Sequence, residues 1–287
     1  MGHYIEVENK VKLYVEDIGT GSPVIFLHGW PLNHKMFEYQ FTALSRRGFR
    51  CIGIDQRGFG KSDAPADGYS YDRLADDVRA VIDHLKLENA ALVGFSVGGA
   101  IAVRYMARHA GYGIDKLVLL GAAAPLFTQR EDYVIGMTKE QFNEQIEAAQ
   151  TDRPKMLRAF GKIFLAHQIS LLNEVSTDFT DWIHQLALEA SAWGTVRTAE
   201  TLRDEDLRAD LAKIHVPTTI FHGSHDKICP VEFATVQHRD IANSSFILFE
   251  DSGHGMLFDE PEKFNEELLT LLVKAHSPVV VPSGYLG

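Results

Sequence analysis

The amino-acid sequence predicts an α/β fold, with one eight-stranded, mostly parallel sheet and helices on both of its faces. Two patterns indicate this class: β-rich apolar runs alternate with amphipathic helical stretches, and the later runs are nearly all apolar. The alternation is interrupted once, between residues 126 and 210. A chain of 287 residues with 45% hydrophobic and 23% charged residues has the composition of a globular protein with a large core.

The eight predicted strands are short runs that are bounded by turn-forming or helical stretches. The first two runs are separated by Glu8, Asn9 and Lys10, which predicts a hairpin. The apolar character of the later runs is expected of parallel strands that are covered on both faces. The runs comprise residues 4–7, 11–17, 24–27, 50–54, 91–95, 116–120, 218–222 and 246–249.

Four stretches are predicted as helices that pack on the sheet: residues 34–47, 71–85, 96–109 and 262–275. The clearest apolar stripe is that of the second stretch, where Leu74, Val78 and Ile82 share one helix face and charged residues occupy the other. Pro261 lies near the start of the last stretch, a position that proline favours. Residues 278–287 contain three valines between two prolines, a pattern that predicts an extended tail.

Residues 126–210 contain no convincing strand, and their aromatic residues supply the apolar faces of helices. A helical insertion into such a sheet is typically a lid over the site at the strand ends. We therefore expect a core formed by residues 1–125 and 211–287, and a helical cap formed by residues 126–210.

Charge and targeting signals exclude several classes of partner. The chain has 28 basic and 39 acidic residues, a net charge of −11, which disfavours nucleic acid. Its most apolar stretch, residues 90–103, contains three glycines and is too short to span a membrane. The N-terminus lacks a secretory pattern, and Cys51 and Cys229 are expected to be free buried thiols, so a cytoplasmic location is expected. Assembly into a homo-oligomer is left open.

The sharpest motif is Gly94-Phe95-Ser96-Val97-Gly98, at the passage from an apolar run into a helical stretch. A nucleophilic serine needs its hydroxyl exposed on a tight strand-to-helix turn. The crowded backbone of that turn requires glycine two residues away on either side. Ser96 is therefore the candidate nucleophile.

A serine hydroxyl needs a general base, which is itself held by an acid. In this topology the chain order is serine, acid and histidine, and the last two follow later strands. Asp226 follows the run 218–222, and His254 follows the run 246–249. These two residues are the candidate acid and base.

Two backbone donors are expected to stabilise the oxyanion of such a reaction. One is the N–H of Val97, directly after the nucleophile at a helix N-terminus. The other is the N–H of Trp30 in the loop after the third run, because the adjacent Pro31 has no N–H.

The substrate pocket is expected to be lined by Trp30, Phe127, Trp193 and Ile228. His222 and His225 lie near Asp226, but no metal-ligand spacing accompanies them, so no metal is expected.

Together these motifs resemble the α/β-hydrolase superfamily. They are Phe26-Leu27-His28-Gly29-Trp30-Pro31, Asp55-Gln56-Arg57-Gly58-Phe59-Gly60-Lys61-Ser62, the Ser96 turn, Asp226 and Ser252-Gly253-His254. Within it the chain is most similar to the cofactor-free haloperoxidase, perhydrolase and aryl-esterase group. The resemblance implies the α/β-hydrolase fold and no cofactor, and it associates Pro31 with perhydrolysis. Epoxide hydrolases and dehalogenases of this fold carry Asp where Ser96 stands, which favours acyl transfer.

The expected function is hydrolysis of small or aromatic carboxylic esters through an acyl-enzyme, with perhydrolase or haloperoxidase side activity. A lactonase, an amidase or a C–C bond hydrolase with the same three residues remains an alternative. A second alternative is a ligand-binding or stress-signalling protein with low turnover. The only feature that favours this reading is the acidic cluster Glu200, Asp204, Glu205 and Asp206.

Overall fold

The structure is a computed structural model that describes residues 2–165 and 175–273. These residues form one eight-stranded sheet, and each predicted strand is present. Each strand extends one or two residues beyond its predicted run, at one end or at both. The strands are β1 (His3–Glu8), β2 (Val11–Gly19), β3 (Ser22–Leu27), β4 (Phe49–Ile54), β5 (Ala90–Phe95), β6 (Ile114–Leu120), β7 (Thr218–Gly223) and β8 (Ser244–Phe249).

The strand order is β1-β2-β4-β3-β5-β6-β7-β8. The predicted hairpin is confirmed, since β1 pairs antiparallel with β2, and β2 pairs antiparallel with β4. All other neighbours are parallel. Every residue of β5 and β7 is buried, as expected of strands covered on both faces.

The α-helices of the described residues are α1 (Glu38–Ser45), α2 (Tyr71–Leu85), α3 (Val97–Arg108), α4 (Lys139–Thr151), α5 (Arg153–Phe164), α6 (Thr177–Leu188), α7 (Ala192–Asp204), α8 (Arg208–Leu211), α9 (Val231–Asp240), α10 (Met256–Asp259) and α11 (Pro261–Val273). No bilayer-spanning helix occurs within residues 2–165 and 175–273, because none combines the required length with apolar character.

Two predicted helices differ in detail from the structure, and a further helix has no counterpart in the prediction. The stretch 34–47 divides into a 3-10 turn, His34–Phe37, and α1, because the Asn33 side chain caps the turn by accepting from the Lys35 N–H. α9 was not predicted, since its ten residues carry only a short apolar face. The predicted helix 262–275 begins at Pro261, and its last two residues and the tail 278–287 lie outside the described residues.

Five helices, α4–α8, occupy the described part of the chain between β6 and β7. We call α4–α7 the helical insertion. Within it α4 packs on α5 and α7, and α5 packs on α6. The carboxyl ends of β3, β5, β7 and β8 all point to one edge of the sheet, because these strands are parallel. The loops that follow them carry the predicted site residues to that edge.

Candidate active site

The turn after β5 gives Ser96 its conformation. Ser96 has φ 54° and ψ −117°, outside the regions that side chains favour, and α3 begins at the next residue. Its N–H donates to the Leu120 carbonyl over 2.9 Å. A Cβ at Gly94 would lie 2.5 Å from the Gly98 carbonyl oxygen, and one at Gly98 would lie 2.7 Å from the His28 carbonyl oxygen. Both glycines are therefore required by the close approach of backbone.

The predicted acid and base are in direct contact. His254 Nδ1 lies 2.6 Å from Asp226 Oδ2, and both side chains are buried. Since the carboxylate accepts, Nδ1 carries the proton and Nε2 is left with its lone pair. The other oxygen, Asp226 Oδ1, accepts the backbone N–H groups of Ile228 and Cys229, each over 2.8 Å. The turn that follows β7 thus fixes the carboxylate against the imidazole.

The His254 ring is held by aromatic neighbours from the core and from the helical insertion. The rings of Phe95 and Phe164 lie 4.7 and 5.6 Å from it, measured between centroids. The Phe164 carbonyl also accepts the Gly255 N–H over 2.8 Å. Because Phe95 directly precedes Ser96, this packing places the base beside the strand that carries the nucleophile.

Cys229 connects the acid with the nucleophile. Its N–H binds Asp226, and its side chain interacts with the Ser96 hydroxyl. Burial raises the pKa of the Cys229 thiol well above its usual value, the Asp226 charge raises it further, and the hydrogen-bond interaction with Ser96 opposes these effects. The thiol is therefore un-ionised and not a competing nucleophile. Cys51 and Cys229 are both free and buried, as expected.

The two predicted oxyanion donors border the same cavity as Ser96. Neither the Trp30 N–H nor the Val97 N–H donates to an acceptor in the described part of the chain. A Cβ at Gly29 would lie 3.0 Å from Ser96 Cβ, so glycine lets this loop approach the nucleophile. Both N–H groups remain available to a ligand oxygen.

His28 supports this loop from behind and is not part of the reacting group. Its Nδ1 contacts the Gly29 carbonyl over 3.0 Å, and its Nε2 accepts the Gln56 N–H over 3.0 Å. Burial lowers the pKa of His28 to about 4, which keeps the ring neutral. The Asp55-to-Ser62 motif therefore stabilises the oxyanion loop through Gln56.

The cavity beside Ser96 has a volume of about 40 Å³. Three of the four residues that are expected to line the substrate pocket border it: Trp30, Phe127 and Ile228. The Trp30 indole N–H donates to the Thr195 carbonyl over 2.9 Å, which fixes its ring against the helical insertion. The remaining lining residues are Val97, Met137, Phe142, Gln145, Phe160, Ile163, Leu202 and Lys227.

The prediction that Trp193 lines the pocket is wrong. Its side chain is 51% exposed, and its indole N–H donates to the Ala66 carbonyl. Leu202, which does line the cavity, lies nine residues further along α7. At 3.6 residues per turn, nine residues place two side chains on opposite faces of a helix. Trp193 therefore faces away from Ser96.

Sequence reasoning missed much of the cavity wall, including Phe142 and Gln145 from α4 and Phe160 and Ile163 from α5. The i, i+3 spacing of each pair was the available signal, because such residues share a helix face. Within residues 2–165 and 175–273, no group of three or more His, Cys, Asp or Glu side chains could hold a metal ion.

Comparisons with known proteins agree with this architecture. A family model described as the alpha/beta hydrolase fold matches residues 22–261. The chain is 55% identical to the AB hydrolase superfamily protein YisY of Bacillus subtilis (strain 168), over 92% of this chain and 97% of that protein.

Two solved structures cover 96% of this chain and 100% of their own chains. An esterase from Exiguobacterium antarcticum superposes with a TM-score of 0.92 at 50% sequence identity. A bromoperoxidase from Bacillus anthracis superposes with a TM-score of 0.91 at 35% identity. With its mostly parallel eight-stranded sheet and its Ser96 turn, the chain belongs to the α/β-hydrolase family, and its relatives include proteins named as haloperoxidases and esterases.

Proposed function

We propose that this hydrolase is a serine esterase that cleaves small or aromatic carboxylic esters through an acyl-enzyme on Ser96. The observation that carries the proposal is the 2.6 Å contact between His254 Nδ1 and Asp226 Oδ2, at the same strand edge as the Ser96 turn. The esterase and bromoperoxidase names of its structural relatives support the same reaction class.

In the acylation step the Ser96 hydroxyl oxygen attacks the ester carbonyl carbon. His254 Nε2 accepts the hydroxyl proton, and Asp226 stabilises the resulting imidazolium through Nδ1. The carbonyl oxygen gains negative charge and accepts hydrogen bonds from the Trp30 and Val97 N–H groups. The carbon–oxygen bond of the ester then breaks, and His254 returns the proton to the departing alcohol.

In the deacylation step His254 removes a proton from water, and the hydroxide oxygen attacks the acyl carbon. The bond to the Ser96 oxygen breaks, His254 reprotonates Ser96, and the carboxylic acid leaves. Hydrogen peroxide can replace water in this step and yields a peracid. A cavity of about 40 Å³ favours such small nucleophiles over alcohols and amines.

The same small volume limits the acyl group. The wall is formed by Trp30, Val97, Phe127 and Phe160 among others, so it is predominantly apolar. We therefore place acetyl and similarly short acyl groups first among the substrates. Larger aromatic groups occupy the alcohol side of the ester, or require the wall residues of α4 and α5 to move.

The test is hydrolysis of 4-nitrophenyl acetate by the Ser96→Ala variant. We expect kcat/KM to fall by about 10⁴-fold or more, because the nucleophile is removed while folding is retained. Ser45→Ala, in α1, is the matched control and should keep wild-type activity. Mass spectrometry of the wild type, quenched during turnover, should find the acyl group on Ser96. Retained turnover in Ser96→Ala would refute the proposal.

A further inference from the structure

A second imidazole lies behind the candidate acid. His222, at the carboxyl end of β7, has its Nε2 atom 3.4 Å from Asp226 Oδ2, the oxygen that also binds His254. The same Nε2 lies 2.8 Å from the Cys229 carbonyl oxygen. The His222 side chain is completely buried. Asp226 is therefore flanked by two histidines, one on the substrate side and one on the core side.

The contact with a carbonyl oxygen determines the tautomer of His222. A carbonyl oxygen only accepts hydrogen bonds, so Nε2 carries the proton and donates it. The other nitrogen, Nδ1, has no hydrogen-bond partner within residues 2–165 and 175–273. A proton on Nδ1 would be a buried, unpaired donor on a charged ring, which is strongly disfavoured.

The charges around His222 agree with a neutral ring. Burial lowers its pKa, and the nearby His254 acts in the same direction. Asp226, the Cys229 carbonyl and Glu232 of α9 oppose this effect, but the net direction is downward. Asp226 thus faces one imidazole that stays neutral and one, His254, that gains a proton during the reaction.

We propose that His222 is a positioning residue that acts through Asp226, an inference that rests on the proposed function of the Ser96 site. Its Nε2–H holds the Cys229 carbonyl, which closes the turn from Asp226 to Cys229. The N–H groups of that turn fix Asp226 Oδ1, and the His222 N–H faces Oδ2. His222 therefore keeps the carboxylate oriented toward His254 Nδ1.

Position and polarity of the donor are tested with three substitutions. His222→Phe keeps the ring volume without a donor. His222→Gln carries an amide N–H near the place of Nε2, whereas His222→Asn carries it near Nδ1. We expect kcat for 4-nitrophenyl acetate to fall by about 10- to 100-fold in His222→Phe and His222→Asn, with KM changed by less than about threefold. His222→Gln should recover most of the loss.

A double-mutant cycle separates positioning from a general structural role. Asp226→Asn removes the group through which His222 acts. Adding His222→Asn to it should lower kcat by less than about threefold further. In His222→Asn alone, the acid limb of the kcat/KM profile should move to lower pH, because a carboxylate that is no longer held toward His254 Nδ1 stabilises the imidazolium less. Thermal unfolding of each variant shows whether the fold is retained. If His222→Phe does not fold, the comparison of kcat between His222→Gln and His222→Asn still tests the proposal.

Full additivity with Asp226→Asn would overturn the inference, as would equal losses in His222→Gln and His222→Asn. Unchanged kcat in His222→Asn would do the same. The Ser96→Ala result is independent of these outcomes. If Ser96→Ala is inactive and the cycle is additive, the proposed function stands and the role of His222 falls.

Discussion

A methyl group on Gly121 would lie 3.3 Å from His254 Nδ1 and 3.4 Å from Asp226 Oδ2. Gly121 follows β6 and has φ +49°. Gly121 lies next to the hydrogen bond between Asp226 and His254, and the absence of a side chain leaves room for that bond. Gly121→Ala should therefore displace the pair, and we expect kcat for ester hydrolysis to fall about tenfold or more while KM changes less.

Gly48→Ala is the matched control for that variant. Gly48 also has a positive φ, +83°, but a Cβ there would meet nothing within 4 Å. Both variants carry the backbone strain of a left-handed residue, about 1–2 kcal/mol, so both should unfold at lower temperature. Only Gly121→Ala should lose kcat. Equal kcat in the two variants would contradict the crowding argument.

The two tryptophans Trp30 and Trp193 provide a test of the cavity wall. Trp30→Ala removes a ring that borders Ser96, so the ratio of butyrate to acetate ester turnover should rise by about tenfold or more. Trp193→Ala removes an exposed ring on the far face of α7 and should leave the ratio within about twofold. The measurement is kcat/KM for a series of 4-nitrophenyl esters. A changed ratio in Trp193→Ala would place that ring at the substrate after all.

Among the cavity-lining residues within 2–165 and 175–273, only Lys227 is charged. It is exposed and makes no ion pair within the described part of the chain. The measured quantity is the ratio of kcat/KM for a monoanionic half-ester to kcat/KM for the neutral diester. We expect this ratio to be about two- to fivefold higher in the wild type than in Lys227→Met. High salt should remove the difference, and Lys227→Arg should retain it. Lys155→Met, on α5 away from the cavity, is the control. A preference that survives in Lys227→Met would exclude this role.

His28 predicts a pH dependence of stability. Its pKa is lowered to about 4 in the folded protein from the ordinary 6.5, so only the unfolded chain binds a proton between these values. The free energy of unfolding should therefore fall as the pH is lowered from 6.5 toward 4, by about 3 kcal/mol from this residue at most. Urea unfolding at several pH values measures the slope. His28→Gln should show a shallower slope, and an unchanged slope would argue against a neutral buried His28.

The fold and the candidate catalytic residues could be predicted from the sequence because both produce patterns within short stretches of the chain. The apolar runs predict every strand, and Ser96, Asp226 and His254 each follow one of them. A Cβ at Gly94 would meet the backbone of Gly98, four residues along the chain, and the glycine spacing around Ser96 is itself a local pattern. Such short-range constraints are visible without knowledge of how distant segments pack.

The cavity wall and the second imidazole depend on long-range packing. Phe142 and Phe160 are among the aromatic residues that are expected to form the apolar helix faces of residues 126–210. Whether they face the cavity depends on how α4 and α5 pack against each other. Trp193 was expected at the cavity but lies outside it, because an aromatic residue of the helical insertion can pack on several different surfaces. The sequence suggests only a metal-ligand role for His222, which the absence of ligand spacing disfavours. Its bond to the Cys229 carbonyl depends on the geometry of the turn and has no sequence signal.

Between the strands of the nucleophile and the acid lies β6, which contributes no candidate catalytic side chain. Neighbouring strands are about 4.8 Å apart, so β5 and β7 are separated by about 10 Å. Besides the strand pairing itself, two backbone bonds connect the carboxyl end of β6 with its neighbours: Ser96 N–H to the Leu120 carbonyl, and Gly121 N–H to the Phe221 carbonyl. Main-chain hydrogen bonds across β6 thus contribute to the spacing between nucleophile and acid. Substitutions along β6 that preserve its pairing should leave that spacing intact, which makes this strand the natural place to redesign the core without disturbing the chemistry.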